Sequence, residues 1–177
     1  MEHFSQLTDK LKDFILRQKM YFVATADAQG RVNISPKGGD TLRILSPHRV
    51  AWLNLTGSGN ETAAHIRAVN RITLMFCSFD KQPLILRLYG QAQAVHKQDA
   101  HWEDLLNLFP DVDGARQVFD VRIDLVQTSC GYQVPFFDYT GERETLSNWT
   151  AKKSPEELVQ YWKENNVTSL DGKPTGI

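Results

Sequence analysis

Short runs of β-branched, aromatic and other apolar residues recur through the first 130 residues, separated by turn-forming Gly, Pro, Asp and Asn. The clearest is FDVRIDLVQT at 119–128, where apolar and polar residues alternate with period two, as in a half-buried strand. RVNISPK at 31–37 alternates in the same way, and together with 20–26 and the turn residues 27–30 it predicts a hairpin. Further strands are predicted at 41–45, 49–56, 71–79 and 84–96.

Helical spacing of apolar residues predicts a smaller number of short helices. One amphipathic helix is predicted near the N-terminus, with its apolar face formed by Phe4, Leu7, Leu11, Phe14 and Ile15. Others are predicted at 61–69, around 100–109 and at 155–165. The last has a well-formed start, because Ser154 can cap it and Pro155 suits the first helical position.

These elements predict a mainly β fold, a small barrel of about six antiparallel strands with short helices on its outside. We expect a single domain over residues 1–177, since a chain of this length can bury one sizeable core. The barrel core is expected at about 20–130. The C-terminal extension, 131–177, is rich in turn residues and is expected to pack on the barrel or on a dimer interface.

The charge balance argues against nucleic acid or anionic lipid as a partner, because 20 basic residues face 21 acidic ones. No apolar run reaches the roughly 20 residues that cross a bilayer, and the charged N-terminus does not resemble a signal peptide. Cys77 and Cys130 both lie in or beside apolar runs, which favours buried free thiols over a disulfide. We therefore expect a cytoplasmic protein.

Polar and aromatic side chains share one face of each of three predicted strands, because residues two apart in a strand point the same way. A solvated outer face is the simpler interpretation of any one of these strands. The three sets are Asn33, Ser35 and Lys37; Trp52, Asn54 and Thr56; and Arg87, Tyr89, Gln91 and Gln93.

The segment TGSGNETAAH at 56–65 leads from a predicted strand straight into a predicted helix. Amide N–H groups at a helix N-terminus bind phosphate well, and Gly permits close approach of the backbone. Ser58, Asn60 and Thr62 can add hydrogen-bond donors. The alternative is an ordinary loop in which Ser58 or Asn60 caps the helix. Beside Ser35 and Lys37, the phosphate site becomes the favoured interpretation.

Three segments carry a family resemblance: RVNISPKGG at 31–39, LTGSGNETAAHIRAVNRITLMF at 55–76 and LRLYGQAQAV at 86–95. In this order they resemble the FMN-binding split-barrel family related to pyridoxamine 5′-phosphate oxidase, over about 20–96. The resemblance implies a six-stranded antiparallel split β-barrel and a homodimer with FMN in a groove at the subunit interface. It would put Ser35 and Lys37 near the flavin or its phosphate, and 56–62 around the phosphate and ribityl chain.

One departure from the family concerns the loop. Oxidases of the vitamin B6 pathway carry an Arg-Lys pair where this chain has Glu61 and Thr62. Lys37, helped by Arg71 or Arg87, would have to compensate, so we expect a relative of different specificity. The residues predicted to bind the cofactor are Asn33, Ser35, Lys37, Asn54, Thr56, Gly57, Ser58, Asn60, Glu61, Thr62, Arg87 and Trp149.

By this resemblance the function would be that of a flavoprotein that passes electrons or hydride from a reduced nicotinamide to a small acceptor or to oxygen. The alternatives are a flavin-binding protein or sensor without turnover, and a relative that binds haem or the deazaflavin F420. No catalytic residue can be assigned, because the sequence contains neither a zinc-ligand spacing nor a G-x-S-x-G motif.

Overall fold

A computed structural model describes all residues from Met1 to Ile177. It contains eight strands, whose bounds are Glu2–Phe4 (β1), Met20–Thr25 (β2), Asn33–Gly38 (β3), Leu42–Ser46 (β4), Arg49–Leu55 (β5), Ile72–Cys77 (β6), Leu84–Val95 (β7) and Ala115–Cys130 (β8). The five helices are Asp9–Arg17 (α1), Glu61–Ala68 (α2), Trp102–Leu106 (α3), Thr145–Thr150 (α4) and Pro155–Asn165 (α5).

All eight strands belong to one antiparallel sheet, in the order β3-β2-β6-β7-β8-β5-β4, with β1 paired to β8. The two ends of this order, β3 and β4, are not paired with each other, so the curled sheet stays open between them. This opening is what makes the barrel split. The predicted mainly β fold is confirmed, but the sheet has eight strands where six were predicted.

The core explains why the strands lie where the alternation predicts them. Twenty buried residues form the main apolar cluster, in which side chains of α1 pack against the inner face of the sheet. A second cluster of eight residues lies between α3 and the strands β5, β7 and β8. Since β5 contributes Val50 and Trp52 to one cluster and Ala51 and Leu53 to the other, it is buried on both faces.

The longest pair, β7 and β8, changes register at Tyr89 and Gly90, where the sheet bends. A side chain at position 90 would not fit there, because its Cβ would lie 1.9 Å from the carbonyl oxygen of Arg122. Gly90 therefore lets the two backbones approach closely at the bend.

Three features differ from the sequence-based predictions. β1 includes Phe4, which the apolar spacing places in the N-terminal helix, and a strand of three residues is too short to show a periodicity. α4 lies in a stretch without a helical pattern. Cys77 is buried, whereas Cys130 is exposed at the end of β8, so the prediction of a buried thiol was wrong for Cys130.

Residues 131–177 reach back to the barrel through side-chain hydrogen bonds. In α5, Ser154 caps the helix as predicted and also forms a capping box with Glu157. The indole N–H of Trp162 donates to Thr56 Oγ1 at 2.9 Å, where β5 ends. None of the five helices has both the length and the apolar character needed to span a bilayer.

Candidate functional site

A cavity of about 430 Å³ lies beside the opening of the sheet, lined by β3, β5, the loop that follows β5 and the first turn of α2. It brings together ten of the twelve residues predicted to bind a cofactor: Asn33, Ser35, Lys37, Asn54, Thr56, Gly57, Ser58, Asn60, Glu61 and Thr62. The polar face of β3 therefore faces the cavity, whereas Ile34 on its other face and Val32 just before the strand are exposed.

Two predicted residues, Arg87 and Trp149, do not line this cavity. Arg87 lies on the outer face of β7 and donates to Ser129 Oγ at 3.0 Å. Trp149 lies in α4 and packs edge-on against Tyr161, with the ring centroids 5.1 Å apart. Both side chains are thus engaged elsewhere within the chain.

The loop between β5 and α2 has a run of free amide groups. None of the N–H groups from Gly57 to Ala63 donates to an acceptor in the chain, and the first bond of the helix is from Ala64 N–H to the Asn60 carbonyl. The capping alternative is wrong, because Asn60 begins the helix without a side-chain cap. Seven consecutive free donors at the positive end of a helix dipole are a set of groups suited to an oxyanion.

Buried side chains hold this loop in place. Asn60 and Gln117 of β8 exchange two hydrogen bonds between their carboxamides, at 3.3 and 3.1 Å, and both are almost fully buried. Thr56 donates its hydroxyl to the Gly114 carbonyl at 2.8 Å and receives the Trp162 indole N–H. Because the side chain of Asn60 is used in this way, it positions the loop instead of capping the helix.

Arg116, at the start of β8, is the charged cavity residue that the sequence reasoning missed. Its side chain is buried and forms no ion pair; the Nη1 group donates to the carbonyl of Gly59 at 3.1 Å and to Asn166 Oδ1. Burial lowers the pKa of Arg116 to about 10, so the guanidinium stays charged at neutral pH. It adds a cation that the loop lacks.

Lys37 is the second cation of the cavity. It forms no salt bridge or hydrogen bond within the chain, and its ammonium lies 4.8 Å from the centre of the Trp52 ring. Burial, and after it the charge of Arg116, lowers the pKa of Lys37 to about 8. Two cations therefore face one cavity without a carboxylate partner.

The one acidic residue of the cavity, Glu61, does not pair with either cation. One of its carboxylate oxygens instead accepts a hydrogen bond from the Leu170 amide at 2.9 Å, which ties the C-terminal tail to the start of α2. The charge balance of the cavity is thus positive at its polar end, which favours an anionic ligand over a neutral one.

A short chain of hydrogen bonds fixes the side chains of β3. Asn33 donates to Thr25 Oγ1 at 3.4 Å and to Thr62 Oγ1 at 3.3 Å, and its Oδ1 accepts from Ser35 Oγ at 3.1 Å. Thr25 in turn lies 3.0 Å from Nδ1 of the buried His65. Since both amide hydrogens of Asn33 are used, its role is to orient Ser35 and Thr62.

The fold and the cavity together define a split-barrel protein whose cavity carries two cations and a run of unbonded amide groups. A family profile described as "Pyridoxamine 5'-phosphate oxidase" matches residues 7–130. The chain is also 36% identical over 191 aligned positions to the pyridoxamine 5′-phosphate oxidase family protein ustO of Aspergillus flavus, covering 97% of this chain and 76% of that protein. It therefore belongs to the pyridoxamine 5′-phosphate oxidase family.

Solved structures confirm the fold. A Lactobacillus delbrueckii protein of the pyridoxamine 5′-phosphate oxidase type is 21% identical, with a TM-score of 0.59 over 72% of this chain and 99% of that one. HupZ of group A Streptococcus is also 21% identical, with a TM-score of 0.56 over 75% of this chain and 99% of that one. At this level of identity the similarity is one of fold.

The lowered pKa of Lys37 predicts a pH dependence of stability. Between about 8 and 10.5 the unfolded chain keeps a proton on Lys37 that the folded chain has lost, so stability gains from rising pH. Relative to Lys37→Met, the wild-type free energy of unfolding should therefore increase over this window and stay parallel below it. Urea titrations at pH 7 to 10.5 measure this, and Lys81→Met, at an exposed lysine, is the control. Parallel curves throughout would contradict the shift.

Proposed function

We propose that the chain is an FMN-binding flavoprotein and that the cavity holds the FMN phosphate at the start of α2. The observation that carries the proposal is the run of seven free amide groups from Gly57 to Ala63, because the first six of these residues line the same cavity as two unpaired cations. A phosphate monoester accepts hydrogen bonds through three oxygens and carries up to two negative charges, which suits this set of donors.

The cation set of this cavity offers a way to hold phosphate without the Arg-Lys pair of the loop. Lys37 from β3 and Arg116 from β8 supply two positive charges from strands. The unpartnered Nε of Arg116 is a buried donor still in need of an acceptor. A bound phosphate would satisfy it.

We propose an oxidoreductase role for the loaded protein, with a reduced nicotinamide as donor and a small molecule or oxygen as acceptor. Bound flavin supplies the electron-transfer chemistry. The chain's own residues anchor the phosphate and orient the ribityl chain through the polar side chains of β3 and β5. The structure offers no cavity residue suited to haem ligation such as His, Cys, Met or Tyr, so flavin is the favoured cofactor.

A homodimer is part of the proposal, supported by an apolar surface beside the cavity. Cross-strand neighbours form a row over the outer face of five strands, and all remain half-buried or exposed: Ile34, Ala24, Thr73, Tyr89 and Leu125. Ile34 lies between the cavity residues Asn33 and Ser35, and 64% of it is exposed. A second copy on this face would therefore lie next to the bound flavin. A cytoplasmic location stays a prediction.

Arg116→Met tests the anchoring of phosphate. We expect FMN affinity to fall about 10- to 150-fold, the equivalent of losing a charge-assisted hydrogen bond of ~1.5–3 kcal/mol, while riboflavin affinity is unchanged. Quenching of flavin fluorescence measures both ligands, and Arg122→Met, at an exposed arginine of β8, is the control. Wild-type protein that binds neither FMN nor riboflavin would overturn the flavin proposal, and a preference for F420 would change the cofactor.

Turnover separates the enzyme from a flavin-binding protein or sensor. FMN-loaded protein should oxidise NADH or NADPH aerobically, followed by the loss of absorbance at the nicotinamide band, faster than the same concentration of free FMN. Lys37→Met, assayed at an FMN concentration below saturation, should lose activity in proportion to its loss of bound FMN. A rate equal to that of free FMN, with FMN fully bound, would favour the non-catalytic alternative.

Ile34→Glu tests the homodimer. A charge at the end of the exposed apolar row nearest the cavity should convert a dimer into a monomer, because a buried unpaired carboxylate costs several kcal/mol. Light scattering coupled to size-exclusion chromatography measures the mass, and Val159→Glu, at an exposed valine of α5, is the control. A wild-type monomer, or an Ile34→Glu protein that stays dimeric, would contradict the proposed interface.

A further inference from the structure

Asn166, the residue that follows α5, is fully buried although it is polar. Its carboxamide makes two contacts near the cavity: Oδ1 accepts from Arg116 Nη1, and Nδ2 donates to the carbonyl of Gly57 at 3.1 Å. One side chain from the C-terminal segment thus contacts both the buried cation and the loop that carries the free amide groups.

Asn166, which accepts a hydrogen bond from Arg116, is a neutral side chain. A buried arginine is ordinarily paired with a carboxylate, because an unpaired charge is costly to remove from water. Aspartate has nearly the size of asparagine and could accept the same hydrogen bond, but it would cancel the positive charge. With Asn166 and the Gly59 carbonyl as its acceptors, Arg116 is held in place and keeps its full charge.

The contacts also determine which part of the guanidinium remains available. Both hydrogen bonds of Arg116 within the chain use Nη1, and its Nε is buried without an acceptor. The edge formed by Nε and Nη2 is therefore free, and this is an edge that can bind an oxyanion through two parallel hydrogen bonds.

Asn166 is itself rigidly placed. Its amide N–H donates to the Trp162 carbonyl at 2.7 Å, and its carbonyl accepts from Thr175 Oγ1 at 2.6 Å. Trp162 and Thr175 are both buried, so the α5 end and the tail hold the carboxamide from two sides. The bond to Gly57 uses that loop carbonyl, which therefore does not present its oxygen to an anion.

We infer that Asn166 is a positioning residue of the phosphate site: it orients Arg116 and the Gly57 loop while leaving the charge of Arg116 for a dianionic phosphate monoester. This inference rests on the proposed function and deepens it. It assigns charge selectivity to a residue outside the family-matched region, which ends at 130. The selectivity concerns the phosphate alone, so it should be absent for riboflavin.

Two substitutions at Asn166 test its neutral charge and its contacts: one adds a negative charge beside Arg116, and the other removes the carboxamide. Asn166→Asp keeps the side-chain size but neutralises Arg116 and loses the Nδ2 donor to the Gly57 carbonyl. FMN affinity should therefore fall about tenfold or more, with riboflavin affinity unchanged. Asn166→Ala removes the tether and leaves the charge. Asn165→Asp makes the same change at the exposed neighbouring residue and should leave the affinities for both ligands unchanged.

The pH profile of FMN binding gives a readout that a purely structural role would not change. A phosphate monoester gains its second charge near pH ~6, so wild-type affinity should rise from pH 5.5 to 7.5. Asn166→Asp should flatten this rise, because the cavity then carries one positive charge less. Asn166→Ala should bind FMN more weakly but keep the rise, since Arg116 remains charged.

The outcomes distinguish this inference from the proposed function. Tight wild-type FMN binding with the same FMN-to-riboflavin ratio and pH profile in Asn166→Asp would overturn the role of Asn166 alone. Absence of wild-type binding would overturn the flavin proposal as well. If Asn166→Asp does not fold, as judged by thermal melting, Asn166→Ala decides. An unchanged FMN-to-riboflavin ratio in that variant overturns the inference, whereas a ratio reduced by weaker FMN binding supports it.

Discussion

The buried, unpaired charge of Arg116 is the constraint on which the rest of the site depends. A guanidinium removed from water without a counter-ion costs several kcal/mol unless hydrogen bonds stabilise it. Here the Gly59 carbonyl and Asn166 provide them, which ties the loop after β5, the start of β8 and the end of α5 to one side chain. The Nε of this guanidinium has no acceptor within the chain, which suits the anion proposed for the cavity.

Lys37 on β3 and the amide groups from Gly57 to Ala63 are also hydrogen-bond donors without an acceptor in the chain. The pKa of Lys37 is lowered and the amide groups are unbonded, so these donors stabilise the folded chain little while no ligand is bound. A ligand that binds the folded state alone recovers this free energy and stabilises the fold. Stability and anion binding are therefore linked properties of this chain.

The sequence predicts the fold and most of the cavity because both depend on local pattern. Period-two alternation places Asn33, Ser35 and Lys37 on one face of β3, and the Gly and Ser residues before α2 predict the loop. Alternation does not say which face is inward, so the apolar Ile34 proved to be exposed. Arg116 could not be predicted, because it lies at the start of β8, before the alternating run, and its burial depends on contacts 50 to 57 residues away in the chain.

Sequence pattern alone also could not show that Arg87 points away from the cavity. The sequence indicates Lys37, helped by Arg71 or Arg87, as the replacement for the Arg-Lys pair, and Lys37 of β3 does line the cavity. The register of the sheet turns Arg87 outward, and the second cation is Arg116 of β8. The backbones of β3 and β8 are held by the sheet, while the loop contributes amide groups and Glu61 binds the tail. Charges on strands move less than charges on a loop, so this arrangement preorganises the cavity for one ligand geometry. The C-terminal segment completes this arrangement, because Asn166 holds the loop through the carbonyl of Gly57.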